Sequence, residues 1–347
     1  MPQREFDKIW IKQRNVLAYP HEWQRPAQTE EWAYQQLVDT VVCANFVEIV
    51  CFPWATLIDF LRRGRRDKAT SLVRALQLCP PRTTLIRATV CQHIWAKDVL
   101  PFFQALKITD LFWSHATLDE VVTDGIRIHP FPLYPVRCFD EGKLVADFGD
   151  QLVRRRFLYS FIGTYAGGLY LTPVRQWIFE LPARRDACIL QREQWHYEKH
   201  VYERQIAGRA LNDEEERDYK VRSEEYTTVM RQSVFALCPS GAGPNSVRLW
   251  EALGFGCIPV VISDSLRLPG DRTEWSQAIV RVPETQEAIA ELPNRLALLK
   301  ADQGRIGAMR RAGWGQWKKY GEAGPTTAVA KFESKNYIRA LVMSQEN

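Results

Sequence analysis

The sequence lacks the patterns that mark several common classes of protein. No stretch approaches the ~20 uninterrupted apolar residues that a membrane-spanning helix needs, and the N-terminal segment MPQREFDKIWIKQRN is charged throughout, unlike a secretory signal peptide. The eight cysteines lie far apart and no CxxC pair occurs. We therefore expect buried thiols in a reducing compartment rather than a disulfide framework or a zinc site. These absences favour a cytoplasmic protein and leave association with a membrane face open.

A strong charge of either sign is also lacking. The excess of +5 is spread along the chain, which suits an anionic ligand or a membrane surface but is too slight to indicate nucleic acid. Hydrophobic residues make up 46% of the chain and no segment is of low complexity, so disorder is not expected. Because single cores stop growing near ~250–300 residues, a chain of 347 residues predicts two domains.

Short apolar runs alternate with helical patterns along most of the chain. Strands are predicted at NFVEIVCF, TTLIRATV and DLFWSHAT, and helices at EEWAYQQLVDTVV, TLIDFLRRG and DVLPFFQALK. The second half repeats the order, with strands at RRRFLYSFIGTYAGG, SVFALCP and CIPVVIS and helices at TPVRQWIFEL, EEYTTVMRQ and NSVRLWEALGFG. The charged segment 191–220 is interpreted as a solvent-facing helix. This alternation predicts an α/β fold in which helices cover both faces of parallel sheets.

Three segments follow from this alternation. We place a first domain at residues 1–148, a second at 149–325, and a C-terminal helix at 326–347 that packs back on the first domain. Two consecutive α/β domains favour a two-lobed enzyme with a central cleft. Ligands of such sheets bind beyond the carboxyl ends of the strands.

A loop rich in small residues, CPSGAGPN, follows the strand SVFALCP directly. Gly241 and Gly243 have no Cβ, so a ligand can approach the backbone closely. Asn245 or Ser246 can cap the next helix, whose N-terminus attracts phosphate. The loop fits neither GxGxxG nor GxxxxGK[ST], which disfavours a dinucleotide fingerprint and a P-loop.

Arg248 and Glu251 share one face of that helix, because they lie three residues apart. A carboxylate there can accept hydrogen bonds from ribose hydroxyls, and an arginine can neutralise a diphosphate. The alternative is an ordinary strand-to-helix turn with a surface ion pair that contributes less than ~1 kcal/mol.

The order of motifs from Ser233 to Pro269 resembles the signature of the exostosin-type glycosyltransferases, glycosyltransferase family 47. The motifs are SVFALCPSG, then SVRLWEALGFGCIPVVISD, then LP. RRFLYSFIGTY, with Arg175 downstream, is similar to the strand and arginine that open the same domain in that family. Before residue 150 the resemblance is weaker, although DLFWSHAT and IRIHPFPLYP look like segments of bacterial exostosin-like proteins. The chain is thus identified as a soluble, bacterial-type member.

The resemblance implies a GT-B fold of two facing Rossmann-like domains, inversion at the anomeric carbon of the transferred sugar, and no bound metal or other cofactor. It implies a nucleotide-sugar donor, with UDP as the default, and a glycan or lipid-linked saccharide acceptor, such as an O-antigen or capsule chain. Golgi members carry a membrane anchor and a stem, neither of which we expect from this sequence. Their heparan and plant-wall substrates are therefore not carried over.

The same resemblance assigns donor-binding roles in the second domain. Glu251 would hold the ribose, Arg248 and the glycine loop would meet the diphosphate, and Gly163 would let the donor approach the first strand. Arg156 or Arg175 would add positive charge. The full donor set is Gly163, Arg156, Arg175, Ser240, Gly241, Asn245, Ser246, Arg248 and Glu251.

An inverting transfer also needs a base, which takes the proton of the acceptor hydroxyl as the nucleotide leaves from the opposite face. The first domain offers four candidates, namely His93, Asp98, His115 and His129. His115 is our first choice and His93 our second, because each follows a predicted strand. Either could instead be a hydrogen-bonded structural histidine.

Two tryptophans beside these histidines, Trp95 and Trp113, are candidates for stacking against the acceptor sugar. Two other functions stay open. The fold could serve a nucleotide-binding regulatory protein without catalysis, or an enzyme that processes nucleotide sugars, such as an epimerase.

Overall fold

The computed structural model describes residues 9–39, 46–140, 143–148, 155–195 and 197–345. The chain divides into two compact units, one formed by Met1–Pro132 together with Ala323–Asn347 and the other by Leu133–Glu322. The first division therefore falls at residue 132, before the boundary that we expected at residue 148.

The first unit contains a seven-stranded sheet in the order β1-β2-β3-β4-β5-β7-β6. Its strands are β1 (Ile11–Gln13), β2 (Val16–Ala18), β3 (Val47–Cys51), β4 (Ile86–Cys91), β5 (Asp110–Trp113), β6 (Val122–Thr123) and β7 (Ile126–Pro130). The edge strands β1 and β6 pair antiparallel, and the five strands between them are parallel. Every residue of β3, β4 and β5 is buried, as expected for strands covered on both faces.

Four α-helices in the described part of the first half accompany this sheet. They are α1 (Thr29–Asp39), α2 (Trp54–Arg62), α3 (Arg66–Gln77) and α4 (Leu100–Ala105). The sequence analysis missed α3, where apolar residues recur at helical spacing within a highly charged segment and are buried. The end of the helix predicted from EEWAYQQLVDTVV lies outside the described residues.

The second unit contains a five-stranded, wholly parallel sheet in the order β11-β10-β12-β13-β14, together with a short antiparallel pair. Its strands are β8 (Phe139–Asp140), β9 (Lys143–Leu144), β10 (Phe157–Thr164), β11 (Ala187–Arg192), β12 (Ser233–Pro239), β13 (Ile258–Ile262) and β14 (Val280–Arg281). Its α-helices are α5 (Val174–Phe179), α6 (Asp213–Arg231), α7 (Val247–Gly254), α8 (Arg272–Ala278), α9 (Gln286–Ala301) and α10 (Gln303–Gln316).

The charged segment 191–220 is more varied than the single helix predicted for it. It begins with the end of β11, contains a π-helical stretch at Lys199–Ile206, and ends in the first turns of α6. A capping box between Asn212 and Glu215 starts α6, because each side chain accepts a hydrogen bond from the other residue's backbone N–H.

The last helix, α11 (Gly324–Gln345), belongs to the first unit. The Phe332 ring packs edge-on against Phe112 of β5, with 5.3 Å between the ring centroids. The predicted α/β class is confirmed, because each of the two units contains a sheet of mainly parallel strands. No helix in the described part of the chain combines the length and apolar character that a membrane span requires.

Candidate functional site

In the second unit, β10 and β12 are parallel neighbours, so the loops that follow them lie at the same edge of the sheet. The loop after β12 is fixed by backbone hydrogen bonds. The N–H of Ser240 donates to the Ile262 carbonyl at 2.9 Å, and the N–H of Gly241 donates to the Gly243 carbonyl at 2.9 Å. The Gly241 carbonyl in turn accepts from the N–H of Leu171 at 3.0 Å. The structure thus joins the glycine loop to the segment after β10.

Two arginines reach this edge from different helices. Arg175 of α5 donates from Nε to the Ser240 carbonyl at 2.9 Å and from Nη1 to the Thr164 carbonyl at 3.2 Å. Arg248 of α7 donates from Nη2 to the Ile162 carbonyl. Both guanidinium groups are therefore anchored by backbone carbonyls at the ends of β10 and β12.

The two guanidinium groups are close enough to repel each other. Burial and then the charge of Arg248 lower the pKa of Arg175 to about 10, which leaves it charged at neutral pH. Among the described residues, neither arginine forms an ion pair with a carboxylate. Two part-buried cations without a carboxylate partner are costly to fold unless an anion offsets them.

The glycines at this edge are needed for packing around the arginines. A Cβ at Gly241 would lie 3.2 Å from Nη2 of Arg175. A Cβ at Gly163 would lie 3.0 Å from Cζ of the Phe161 ring and 3.4 Å from Nη2 of Arg248. These glycines therefore make room for the guanidinium groups, in addition to any room that they leave for a ligand.

The start of α7 has no side-chain cap. Ser246 occupies the N-cap position, and its side chain makes no capping hydrogen bond. Asn245 is buried, and its Oδ1 accepts from the Ser246 N–H at 2.8 Å and from Trp250 Nε1 at 3.1 Å. The first N–H groups of α7 are thus left without a side-chain acceptor, as an anion-binding helix start requires.

Glu251 is buried rather than exposed on a helix face, with 2% of the residue accessible. Its Oε1 accepts from the backbone N–H of Arg137 at 3.0 Å, and its Oε2 accepts from the Tyr226 hydroxyl at 2.8 Å. The alternative of a surface ion pair with Arg248 is therefore wrong. Each carboxylate oxygen has two lone pairs, so both oxygens can accept one more hydrogen bond.

Arg156 is not brought to this edge. It precedes β10 and is exposed, and its Cζ lies 4.9 Å from the centroid of the Phe157 ring. Arg156 lies just before the start of β10, whereas the glycine loop lies beyond the end of the neighbouring parallel strand β12. Because strands rise ~3.3 Å per residue, the eight residues of β10 keep the two apart. Of the two arginines expected to add charge, the structure brings only Arg175 to the loop.

The sequence analysis missed Glu284, which follows β14 closely. Its Oε1 accepts from the Thr172 hydroxyl at 2.9 Å and from the Ser240 hydroxyl, and its Oε2 accepts from the Asp264 N–H at 2.9 Å. One carboxylate thus joins the loops after β10, β12 and β13. No motif marks Glu284, and the strand that precedes it is only two residues long.

In the first unit, His93 follows β4 and His115 follows β5, as predicted. His115 is 7% exposed. Burial and then His93 lower the pKa of His115 to about 3, while a hydrogen bond to the backbone of Gln92 opposes this shift. Its Nδ1 is buried and has no hydrogen-bond partner in the described part of the chain. His115 is therefore neutral at physiological pH, with an unsatisfied ring nitrogen.

His93 has contacts at both ring nitrogens. Nδ1 accepts from the Trp95 N–H at 3.1 Å, and Nε2 lies 3.4 Å from Oδ1 of Asp59. Of the other two candidates, Asp98 forms an exposed ion pair with Arg62, and His129 contacts the buried Asp110.

Four buried polar residues near His93 and His115, beyond the carboxyl ends of the first-unit strands, were not predicted. We call them the first-unit polar cluster. They are Gln24, Glu30, Asp59 and Gln92. Gln24 donates to Asp59 Oδ2 at 2.6 Å, and Gln92 donates to Gln24 Oε1 at 2.8 Å. Both oxygens of Glu30 accept from the Ala55 N–H at 3.2 Å, and Oε1 also accepts from the Gln92 N–H at 3.1 Å. Burial raises the pKa of Glu30 to about 8.

The two tryptophans differ in exposure. Trp95 is 44% exposed, and Cζ of Arg62 lies 4.2 Å from its ring centroid. Trp113 is only 5% exposed, and its Nε1 donates to the His93 carbonyl at 2.8 Å. Trp113 therefore supports His93, and the expectation that its ring stacks against a sugar is corrected. Among the described residues, no group of three or more His, Cys, Asp or Glu side chains could hold a metal ion.

Residues 139–296 match the Exostosin GT47 domain. This segment makes up less than half of the chain and is similar to that family. It contains the glycine loop, both site arginines, Glu251 and Glu284, whereas the first-unit polar cluster precedes it. The exostosin-type resemblance found in the sequence is thus confirmed; the comparisons do not address the bacterial type.

Curated relatives of the exostosin domain are named as glycosyltransferases. The "Probable beta-1,4-xylosyltransferase IRX10" of Arabidopsis thaliana is 38% identical over 93 residues, which are 25% of this chain and 23% of the relative. "Exostosin-1" of Drosophila melanogaster is 33% identical over 109 residues, 31% of this chain and 14% of the relative. The chain therefore matches less than a quarter of the length of these relatives.

Among solved structures, the S. aureus MnaA–UDP co-structure is similar over 94% of this chain and 96% of that chain. The sequence identity is 11% and the TM-score 0.41.

Proposed function

We propose that the chain is an inverting, metal-independent glycosyltransferase that moves a sugar from a nucleotide-sugar donor, by default a UDP-sugar, to a glycan or lipid-linked saccharide. We further propose that it acts in the synthesis of a surface polysaccharide, such as O-antigen or capsule, in the cytoplasm at the inner face of the plasma membrane. The names of the relatives support sugar transfer. The pathway and location rest on the resemblance and on the sequence pattern.

The observation that carries the proposal is the pair Arg175 and Arg248. These guanidinium groups approach each other without a carboxylate partner among the described residues, beside a glycine loop and an uncapped helix start. A diphosphate supplies the missing negative charge and accepts charge-assisted hydrogen bonds. The same charges would stabilise the nucleoside diphosphate as it leaves, because they are fixed where negative charge develops. In this proposal Glu251 accepts hydrogen bonds from the ribose.

For the base, we propose His115, with His93 as second candidate. The ring of His115 is held by the Gln92 backbone and keeps an Nδ1 lone pair without a partner. Its low pKa keeps that lone pair free of a proton at neutral pH. The same low pKa makes the imidazole a weak base, so it would take the proton only once bond formation has made the acceptor oxygen acidic.

Transfer of a labelled sugar from a panel of nucleotide sugars to saccharide acceptors tests the proposal. We expect transfer that persists in EDTA and gives a product of inverted anomeric configuration by NMR. Retention of configuration would contradict the inverting mechanism, and loss of transfer in EDTA would contradict metal independence. Binding without transfer or hydrolysis would favour a regulatory protein, and an altered nucleotide sugar without transfer would favour a processing enzyme.

Replacement of the histidines tests the base. We expect His115→Gln to lower kcat by about 100-fold or more, the usual contribution of general-base catalysis, with the donor KM unchanged. His21→Gln, at an exposed position, is the control and should turn over like the wild type. If His115→Gln and His93→Gln both retain full turnover, the base is another residue.

A further inference from the structure

Tyr226 contacts both residues that the proposed donor site uses on α7. Its hydroxyl donates to Oε2 of Glu251 at 2.8 Å. Its ring lies 5.9 Å from Cζ of Arg248, measured to the ring centroid. Tyr226 comes from α6, a helix that packs against β10 and β12, and nothing in its sequence neighbourhood marks it as functional. One side chain from outside the glycine loop thus touches the carboxylate and one cation of the site.

The hydroxyl of Tyr226 is held as a hydrogen-bond donor. Burial and then the charge of Glu251 raise the pKa of Tyr226 well above its ordinary value, so the phenol keeps its proton. The second oxygen of Glu251 accepts from the Arg137 N–H at 3.0 Å. With one donor on each oxygen, the carboxylate cannot rotate freely, and one lone pair on each oxygen stays open.

We propose that Tyr226 is a positioning residue that holds Glu251 in the orientation a ribose diol requires, so that the site prefers a nucleoside diphosphate to a bare diphosphate. This inference rests on the proposed donor site. A carboxylate already fixed by two donors loses little further freedom when it binds vicinal hydroxyls, and such preorganisation increases affinity. The diphosphate is held by Arg175 and Arg248, which do not depend on the phenol hydroxyl.

Calorimetric titration of the full chain with UDP and, separately, with inorganic pyrophosphate tests this division of roles. Tyr226→Phe removes only the hydroxyl. We expect it to weaken UDP binding about tenfold, the effect of one hydrogen bond to a charged group, and to leave pyrophosphate affinity unchanged. Tyr159→Phe is the matched control, because the buried Tyr159 hydroxyl has no hydrogen-bond partner in the described residues. That variant should bind both ligands like the wild type.

The other outcomes contradict either the inference alone or the inference together with the proposed function. If the wild type binds UDP and Tyr226→Phe binds it equally well, the inference fails while the proposed function stands. If Tyr226→Phe weakens pyrophosphate as much as UDP, the hydroxyl supports the site as a whole rather than ribose recognition, and the inference is again wrong. If the wild type binds neither ligand, the proposed function and the inference fail together.

A double-mutant cycle separates positioning from a general loss of structure. In a Glu251→Gln background, Tyr226→Phe should cause no further loss of UDP affinity, because the carboxylate that it orients is gone. An undiminished tenfold loss in that background would show that Tyr226 acts through another group. Thermal unfolding of each variant checks that the chain remains folded.

Discussion

The two units place opposite kinds of polar residue at the same position in the fold, the carboxyl ends of parallel strands. In the first unit, the polar cluster consists of two carboxyl groups and two amides that hydrogen-bond to one another and to backbone N–H groups. In the second unit, Arg175 and Arg248 donate to backbone carbonyls, contact aromatic rings and lie beside each other. The members of the first-unit polar cluster have hydrogen-bond partners, whereas the two second-unit cations have no carboxylate partner among the described residues.

This difference indicates that the first-unit polar cluster contributes to stability and that the second-unit arginine pair contributes to ligand binding. A closed network of buried polar groups stiffens the fold, because each member has a hydrogen-bond partner. Removal of one member leaves its neighbours without a partner. A pair of neighbouring, part-buried cations costs folding free energy, which a bound anion would offset. We therefore expect substitutions in the first-unit polar cluster to change mainly stability, and substitutions of the two second-unit arginines to change mainly nucleotide affinity.

The largest expected effect is on UDP affinity when both second-unit cations are removed. Arg175→Ala combined with Arg248→Ala should weaken binding about 1,000-fold by calorimetry, since each hydrogen bond to a charged group contributes roughly 2 kcal/mol. Arg156→Ala removes one positive charge at the far end of β10 and is the control, with affinity unchanged. A similar loss in Arg156→Ala would mean that only the overall charge matters.

The next largest effect is on stability in the first unit. Glu30→Ala should lower the free energy of unfolding by about 3 kcal/mol, because the N–H groups of Ala55 and Gln92 lose their acceptor. Urea unfolding measures this change, and UDP affinity should stay the same. Asp119→Ala, at an exposed position, is the control. A loss below about 0.5 kcal/mol would show that the cluster does not stabilise the first unit.

A smaller effect is the pH dependence that His115 contributes. Its pKa is lowered to about 3 from the ordinary 6.5, so the unfolded chain takes up the proton first. Stability is therefore lost as the pH falls from 6.5 towards 3, by up to about 1.4 kcal/mol per pH unit. His115→Gln should remove this slope in urea unfolding at pH 7, 6 and 5. An unchanged slope would contradict the burial of a neutral His115.

Glu30 contributes to the same pH dependence with the opposite sign. Its pKa in the folded chain is raised to about 8 from 4.5, so its contribution to stability is fully present below pH 4.5. It is lost as the pH rises through about 8. Comparing His115→Gln with the wild type therefore isolates the histidine, because Glu30 is the same in both.

The smallest expected effect concerns the residue that joins the second-unit loops. Glu284→Gln replaces one acceptor oxygen by an NH2 group, so either the Asp264 N–H or the hydroxyls of Thr172 and Ser240 lose their partner. We expect UDP affinity to fall about fivefold by calorimetry while the chain stays folded. Glu287→Gln, exposed on α9, should leave affinity unchanged. Equal affinity in both variants would mean that the backbone bonds of Ser240 and Gly241 alone fix the loop.

The second-unit edge could be predicted well where its residues are close in sequence. Ser240 to Glu251 form one strand-to-helix turn, so their shared location follows from local geometry. Arg175 lies 65 residues from Ser240 and was identified only through the family resemblance. Arg156 was assigned to the same place although it opens its predicted strand, and strand direction alone places it at the opposite edge. Glu284 follows a strand of two residues, too short for a periodic pattern.

The first-unit edge was harder to predict because no local pattern unites its members. Gln24 and Gln92 are 68 residues apart, and Gln24 and Asp59 are 35 apart. Glu30 stands in a segment that reads as the polar start of an amphipathic helix, yet it is buried against the start of α2. Burial of such residues is decided by tertiary contacts, which composition and periodicity do not encode.

Hydrogen–deuterium exchange of the full chain with and without UDP tests most directly the claim that the nucleotide binds at the second-unit edge. We predict that UDP protects the backbone amides of the segments after β10 and β12, from Gly163 to Arg175 and from Ser240 to Glu251. Exchange in the segments after β4 and β5, around His93 and His115, should stay as in the free protein. Protection at those first-unit segments, with none between Ser240 and Glu251, would contradict the account.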